Sequence, residues 1–525
     1  METLFNEFTE DIHNHFQDIA EKDIDRLFQK AQQEVFNRIN QLAEFEQIDK
    51  DLIFQDERMM REINDSIRNL TLSYIQFEHD QLQYADQYEN IFEFVERENL
   101  SDTFFEQSVT EGHPFHPMTK TKLGFNINDV IQYSPEFRNS VKIIPVLCES
   151  DLVQEVQLNE THQIDKFEQK IINYCHQHEL NYDDYSILFI HEWQFEHFMV
   201  PHFKNLLDRQ QIIPLYDLAI ESSPLLSFRT LDSEELDCIV KTAVNVQATS
   251  AVRNVSPASI KNGLILSEVV ERVYRIRGYN NSFIQQDLAG GYLNALDEHA
   301  NKCSFMLRAR LPQHEGSHNL VCGSLITRSF ITNKHILIEC IETIMKTQEM
   351  TFERAASLFL TEYAHNLLEA TYKLILEEGI SLEAHMQNST TVIKNGLPIA
   401  IYVRDFGGVR LFDKGIDIDA STGLITEDFA DLLSVFSHAV LYNHLFQLIQ
   451  VLEAYGYDAQ EGYDIIQKII TSYHESHTPE INILEQPTFK IKSLLKMRIY
   501  AEGYDYQYTE INNPLYMEVT EDELD

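Results

Sequence analysis

The chain has 525 residues, with 84 acidic and 41 basic side chains and a formal net charge of −43 at pH 7. So negative a surface repels phosphate backbones and anionic bilayers, which argues against general nucleic-acid binding and membrane-surface attachment. A hydrophobic fraction of 43% is ordinary for globular proteins, and the length has room for about three domains or fewer.

The start, Met1-Glu2-Thr3-Leu4-Phe5, is acidic and lacks the basic and long apolar regions of a signal peptide. No uninterrupted apolar run approaches the roughly 18–20 residues of a membrane-spanning helix. Residues 1 to about 105 predict a helical arm. Leu27, Ala31, Val35, Ile39 and Leu42 recur at three- and four-residue steps, as do Met60, Ile63, Ile67, Leu70 and Tyr74. Residues 1–110 hold 26 acids against 9 bases, a charge that a solvated outer face accounts for.

Then the texture changes. Gly112 to Asn128 contains no acid. Its steps His113-Pro114 and His116-Pro117 bias each histidine toward extended backbone and predict an ordered loop. Strand-like runs follow at Val141–Leu147 and Tyr185–His191, and a second acid-free window, Cys238 to Ser267, holds Lys241, Arg253 and Lys261. Two such windows in so acidic a chain predict an anion site. The six cysteines are far apart with no C-x-x-C pair, and read as buried free thiols of a reducing cytoplasm.

Further on, Thr351 as N-cap and Gly379 as C-terminal stop bracket a helix that buries Leu358, Phe359, Leu367, Leu368, Leu374 and Ile375. A hairpin follows: Thr390–Ile393, a Lys394-Asn395-Gly396 turn, and Leu397–Val403, which runs into Arg404-Asp405-Phe406-Gly407-Gly408. The rest reads as mostly helical and ends in the acidic tail Glu521–Asp525. The 17 glycines and 13 prolines are few, which favours long helices.

Two groups of residues suit chemistry. Glu383, His385, Gln387 and Asn388 precede the hairpin and Asp405 ends it, so the fold-back returns Asp405 toward Glu383 and His385. Two carboxylates with amide and imidazole neighbours suit a magnesium–nucleotide site, because Mg2+ takes one or two carboxylates and fills up with water and phosphate. A polar hairpin with a capping Asp is the plainer alternative. Ser227-Phe228-Arg229-Thr230, Lys241, Thr249 and Arg253 form the second group. Thr249 and Arg253 share a face if their segment is helical, and cations flanked by hydroxyls suit a polyphosphate or polycarboxylate. Solvated surface is the plainer alternative there. The histidines at His13 and His15, at His176 and His178, and at His191 and His197 match no metal-ligand spacing.

In chain order these residues resemble the motifs of the NRPS-independent siderophore synthetases, the aerobactin-synthetase family. The loop from Gly112 through Lys120 to Gly124-Phe125 resembles its G-H-P-x-H-P-x-x-K-x-R-x-G loop. Ser227–Thr230, Lys241, Thr249 and Arg253 look like its nucleotide and carboxylate block. Glu383–Asn388 and Arg404–Gly408 look like its E-A-H-x-Q-N and R-D-x-x-G signatures, with weaker echoes at Asn443-His444-Leu445, Lys492 to Arg498 and Asn513-Pro514-Leu515. Two departures stand out. His191-Glu192-Trp193-Gln194 replaces H-P-W-Q, and Lys122 stands where Arg is usual, keeping the charge without the bidentate fork.

The resemblance implies an α+β cupped hand, with a helical thumb at 1–105, mixed fingers at 106–335 and a kinase-like palm at 336–525. It implies a cytoplasmic ligase of siderophore biosynthesis and iron acquisition, in which iron binds the product. ATP would adenylate citrate or a citrate-derived acid, and an amine or amino acid would displace AMP to form an amide. ATP contacts fall to Ser227, Arg229, Thr230, Lys241, Thr249, Gln387 and Asp405, and Mg2+ to Glu383 and Asp405. The substrate carboxylate falls to His113, His116, Lys120, Thr249, Arg253, His385, Lys492 and Arg498, with His385, Arg253 and Lys241 at the reacting centre. Relatives of this kind often pair, so a homodimer is also implied, although no residue dictates it.

Two rivals remain open. Asp405-Phe406-Gly407 looks like a kinase D-F-G, but the chain lacks a G-x-G-x-x-G loop and a V-A-I-K strand. A non-catalytic partner protein, binding through the acidic arm, is the other. Against both stands the expectation that Lys120, Lys122, Lys241, Arg253 and Lys261 line one cationic pocket inside an acidic shell.

Overall fold

Apolar side chains one helical turn apart make two long helices of the arm, Glu21–Phe45 and Glu57–Tyr84. They run antiparallel, since Arg26, early in the first, pairs with Glu78, late in the second, at 2.5 Å. Asp56 caps the second helix by accepting the Met59 N–H at 2.9 Å. The expected stripe is buried, except that Met59 rather than Met60 takes the fully buried position. The structure is a computed structural model that describes residues 19–157, 164–249, 251–294, 301–500 and 507–518, with Thr9, Ile12, His13, His15 and Phe16 ahead of them. The tail 521–525 lies outside the described residues.

The arm does not form a bundle of its own. Leu27, Val35, Ile63 and Ile67 share one apolar core with Ile143, Val146, Leu188 and Ile190. Those last four sit on the two expected strands, Val141–Glu149 and Tyr185–His191, which pair antiparallel with Ile143 opposite His191. Both belong to a nine-stranded sheet. Its order is Val153–Gln157, Asp287–Leu293, Ser304–Ala309, Cys238–Thr242, Thr230–Ser233, Ile220–Pro224, Val141–Glu149 and Tyr185–His191, with Ile212–Pro214 also paired to Val141–Glu149. The six cysteines are buried and free.

A second core gathers Phe359, Leu367 and Leu374 with Ile401, Val403 and Phe436. The predicted helix runs Phe352–Leu368, passes through a π-helical turn at Glu369–Lys373, and ends at Glu378 before Gly379 at φ +63°. The predicted hairpin joins Ser389–Lys394 to Leu397–Val403 through Asn395 and Gly396, at φ +51° and +82°. Those left-handed values are what a type I′ turn requires. Phe429–Glu453 has a mean hydropathy of 1.3 and is long and apolar enough to cross a membrane, yet 83% of its window is buried inside the protein. Its apolar side chains fill the second core. The architecture is α+β, as expected.

Candidate active site

The two cores meet where the hairpin ends. Lys241, on a central strand of the large sheet, donates from Nζ to Asp405 Oδ2 at 2.6 Å, across 164 residues of chain. Strand register explains the company that Lys241 keeps. Thr230 stands opposite Lys241, Lys241 opposite Met306, Ile239 opposite Arg308, and Arg308 opposite Asp287. Facing and alternate residues share a side of a sheet, so Thr230, Lys241, Arg308 and Asp287 project from one face. Arg308 is anchored there by donating Nε–H to Asp287 Oδ1 at 2.6 Å.

The result is a cavity of about 200 Å3, where Arg229, Lys241, Arg253, Arg308 and Arg404 face Glu383 and Asp405, with Ser227, Thr230, His385 and Gln387 between them. Burial sets its electrostatics. It pushes the Lys241 ammonium down to about 8 despite the pull of Asp405. Burial, with Arg253 nearby, pushes the Arg229 guanidinium down to about 10. Burial alone would raise the Asp405 carboxyl, but Lys241 and Arg308 hold it well below the carboxylate range. The Arg229 and Arg253 guanidiniums donate to neutral oxygens, Arg229 to the Asn254 carbonyl at 2.7 Å and Arg253 to Thr249 Oγ1 at 2.8 Å. The cavity holds cationic donors in excess, which is the chemistry of a polyphosphate site.

Glu383 and Asp405 are the two carboxylates that line this cavity. Lys492 Nζ donates to Glu383 at 2.8 Å. Burial would raise the Glu383 carboxyl, but Lys492 and His385 hold it down. A Cβ on Gly408 would lie 1.8 Å from Glu383 Oε2, so only a glycine lets the carboxylate stand beside the Asp405 loop. Two carboxylates beside a phosphate-sized space fit Mg2+, which completes its shell with water and phosphate. Among the described residues, no group of three or more His, Cys, Asp or Glu is arranged to hold a metal ion.

A second cavity, of about 260 Å3, opens from the first and shares Ser227, Arg253, His385 and Gln387 with it. The predicted loop supplies His113, His116, Lys120 and Lys122. Gly112 turns the chain at φ +72°, and the His113 N–H is held by Thr119 Oγ1 at 2.7 Å. The His113 and His385 rings meet edge to face, with centroids 6.3 Å apart. Burial pushes all the neighbouring imidazoles down: His113 well below its ordinary value, His385 less so, and His116 and His438 to about 3. They stand neutral at physiological pH. Lys120 and Lys122 instead converge on buried Glu136, at 3.0 and 3.7 Å. Burial would raise that carboxyl, yet the two lysines hold it at about 2.

Several expectations need correction. Thr249 and Arg253 do not share a helix: Val244–Ala248 and Ala251–Arg253 are paired strands, and Thr249 turns between them at φ +55°. The alternate burial of Val244, Val246 and Ala248 is a strand's period of two. Lys261 does not reach the pocket; it pairs with Asp417 at 3.3 Å, its side chain 42% exposed on the helix Pro257–Arg277. Arg498 lines neither cavity and pairs with buried Glu62 of the arm. Lys492 lines neither cavity and reaches the site through its contact with Glu383. At the H-E-W-Q departure, Gln194 braces the neighbouring strand by accepting the Asn245 N–H at 2.7 Å, and Glu192 accepts the Lys142 N–H at 3.2 Å.

Four contributors escape sequence reasoning. Arg308 has its partner on another strand, Glu136 answers two lysines from outside their loop, and His438 faces Glu383 from a π-helical stretch at Ser437–Leu445. Arg404 was visible in its motif, but its partner Glu106, at 2.5 Å, lies 298 residues away.

Comparison with known proteins agrees with this geometry. Residues 101–327 match the model of the IucA / IucC family. Residues 357–507 match a second model, described as ferric iron reductase FhuF-like transporter. Staphyloferrin A synthase of Staphylococcus aureus is 29% identical over 494 residues, covering 88% of this chain and 83% of that protein. D-ornithine--citrate ligase of the same organism is 24% identical over 513 residues, covering 88% and 77%. ATP-bound aerobactin synthetase IucA of Klebsiella pneumoniae superposes with a TM-score of 0.75 at 20% identity, covering 91% of this chain and 86% of that one. Motifs, fold and relatives agree: the chain is similar to the NRPS-independent siderophore synthetases, and its residues 101–327 match the IucA / IucC family of that kind.

Proposed function

We propose that this protein is an ATP-dependent siderophore synthetase that adenylates citrate or a citrate-derived acid and condenses it with an amine. AMP and pyrophosphate leave, and an amide forms. The observation that carries this reading is the junction of two cavities, one rich in buried cations and one lined by neutral imidazoles. The names of the curated relatives, a staphyloferrin A synthase and a D-ornithine–citrate ligase, support citrate as the acid.

A carboxylate attacking ATP brings anions together, so the first requirement is preorganised positive charge. Lys241, Arg229 and Arg308 meet the phosphates, with Ser227 and Thr230 as hydroxyl partners, and Gln387 faces the nucleotide. Mg2+, held by Glu383 and Asp405, would neutralise the departing pyrophosphate. Arg253, positioned by Thr249, grips the acid where the two cavities join and aims its oxygen at the α-phosphate. The attacking amine must then shed a proton. An imidazole kept neutral by burial is an acceptor at physiological pH, and His385, facing both cavities, takes that part with His113 beside it. His116, Lys120 and Lys122 shape the acid's cavity, Glu136 tempering the lysines. The same reading gives a cytoplasmic enzyme with small-molecule partners, and a homodimer, which light scattering checks. It also keeps the three-part division into thumb, fingers and palm.

The test is pyrophosphate release with ATP and Mg2+ across citrate, 2-oxoglutarate and succinate, each with hydroxylamine to trap the activated acid. Hydroxamate and AMP are expected with one of them. ADP in place of AMP would make the protein a phosphotransferase. Unchanged function in Glu383→Gln and Arg253→Ala would make it a non-catalytic partner.

A further inference from the structure

Behind the Gly112–Phe125 loop lies a cavity of about 350 Å3 that the proposed reaction leaves unused. Gly112 and Pro114 line both this cavity and the imidazole-lined one, so the loop backbone is the partition between them. The far walls come from the arm, from Arg328, and from Gln447 and Gln450 of the long apolar helix.

The charge in this cavity is opposite to that of the arm that builds it. Lys30, Arg38 and Arg328 face a single acid, Glu111. Glu111 is already engaged, one oxygen accepting from Arg38 Nη2 at 3.0 Å and the other from the Tyr74 hydroxyl at 2.9 Å. Arg38 also pairs with Glu34 at 2.6 Å and donates Nη1–H to the His113 carbonyl at 3.1 Å, which ties the cavity wall to the loop. Lys30 stands 4.0 Å over the Tyr74 ring, and Arg328 donates to the Asn333 carbonyl at 2.7 Å. Among the described residues, neither Lys30 nor Arg328 forms an ion pair with a carboxylate. Two such cations, in a chain of net charge −43, make this cavity a place for a carboxylate.

We propose that this cavity holds the carboxylate end of the amine substrate, whose amino group passes Gly112 and Pro114 into the adenylate cavity. The substrate class is then an amine that carries a carboxylate, an amino acid rather than a simple diamine. The acid to be activated has its own cations in the smaller cavities, beside the phosphates, so it does not compete for Lys30 and Arg328. This inference rests on the ligase reading above.

The experiment pairs each carboxylate-bearing amine with its decarboxylated counterpart: ornithine with putrescine, lysine with cadaverine, 2,3-diaminopropanoate with ethylenediamine. Hydroxylamine trapping, which needs no amine substrate, is measured first in every variant. The expected result is amide formation with a carboxylate-bearing member and at least ~10-fold poorer use of its counterpart. Arg328→Ala with Lys30→Ala should raise the KM for the carboxylate-bearing amine by roughly 10-fold. It should leave trapping and the KM values for ATP and acid unchanged, and Arg328→Lys should restore part of the loss. Equal use of both members, use of none, or an unchanged KM in the double variant, with trapping intact, overturns this inference and leaves the ligase standing. Failure of trapping in the unaltered protein overturns both.

Discussion

Raising the pH acts on Lys241 before it acts on any ordinary lysine. Burial has lowered its ammonium from the usual 10.5 to about 8, so the charge that faces the phosphates is lost as pH rises through that value. The kcat/KM for ATP should therefore fall on an alkaline limb near pH 8, by about tenfold per unit once the group is largely deprotonated. Lys241→Arg should remove that limb, read from the pH profile of pyrophosphate release. Glu136 behaves in the opposite sense. Its carboxyl is held at about 2 against an ordinary 4.5, so it contributes stability above pH 4.5 that disappears as pH falls toward 2. Glu136→Gln leaves two buried ammonium groups without their partner and should cost about 3–5 kcal/mol at neutral pH, measured by urea denaturation. Lys120 and Lys241 were legible in the sequence because they lie in stretches free of acid. Glu136 was not, because it sits beyond the loop whose charge it balances, and no local spacing connects it to Lys122. Lys261 shows the limit of the same signal: freedom from acid along the chain does not exclude a distant Asp417 in space.

Among the elements, the hairpin and its exit do the most for the site. The Asn395-Gly396 turn, the strand Leu397–Val403 and the helix closed by Gly379 all matched their local signals, since each rests on neighbours a few residues away. The exit loop is less forgiving. A methyl on Gly408 would overlap the Glu383 carboxylate, and a displacement of about 1 Å at a reacting centre costs on the order of 10²-fold in rate. Gly408→Ala should therefore lower kcat by that order with little change in Tm, checked by single-turnover kinetics beside a thermal melt. The helical condition set on the segment around Thr249 is not met, yet the two side chains still meet, for a physical reason. A four-residue spacing brings two side chains together on a helix, and a tight turn between two short strands does the same. Here Thr249 and Arg253 meet at 2.8 Å by the second route.

For the molecule as a whole, the net charge of −43 is a property of the exterior, and the interior site has the opposite sign. The sequence pointed to this through the uneven placement of acids, but not to the junction of two cores that creates the site. That junction depends on pairs such as Arg404–Glu106 and Lys241–Asp405, which no window of the sequence contains. Because both cores contribute to one cavity, a nucleotide bound there stabilises them together. ATP at about 100 times its Kd should add ~2.7 kcal/mol, seen as one upward-shifted calorimetric transition. Two transitions, with only one of them moved, would contradict the shared site.

The 164 residues between Lys241 and Asp405 also fix an order of events during synthesis. A ribosome adding roughly 5–20 residues per second exposes Arg229, Lys241 and Arg253 about 8–30 s before the carboxylate that neutralises them. Until then Arg229, Lys241 and Arg253, carried on separate segments, have no Asp405 to balance them, and burying them uncompensated is costly. A chain interrupted before the hairpin carries most of the phosphate-binding residues and yet has no assembled centre, so a prematurely terminated product consumes no ATP.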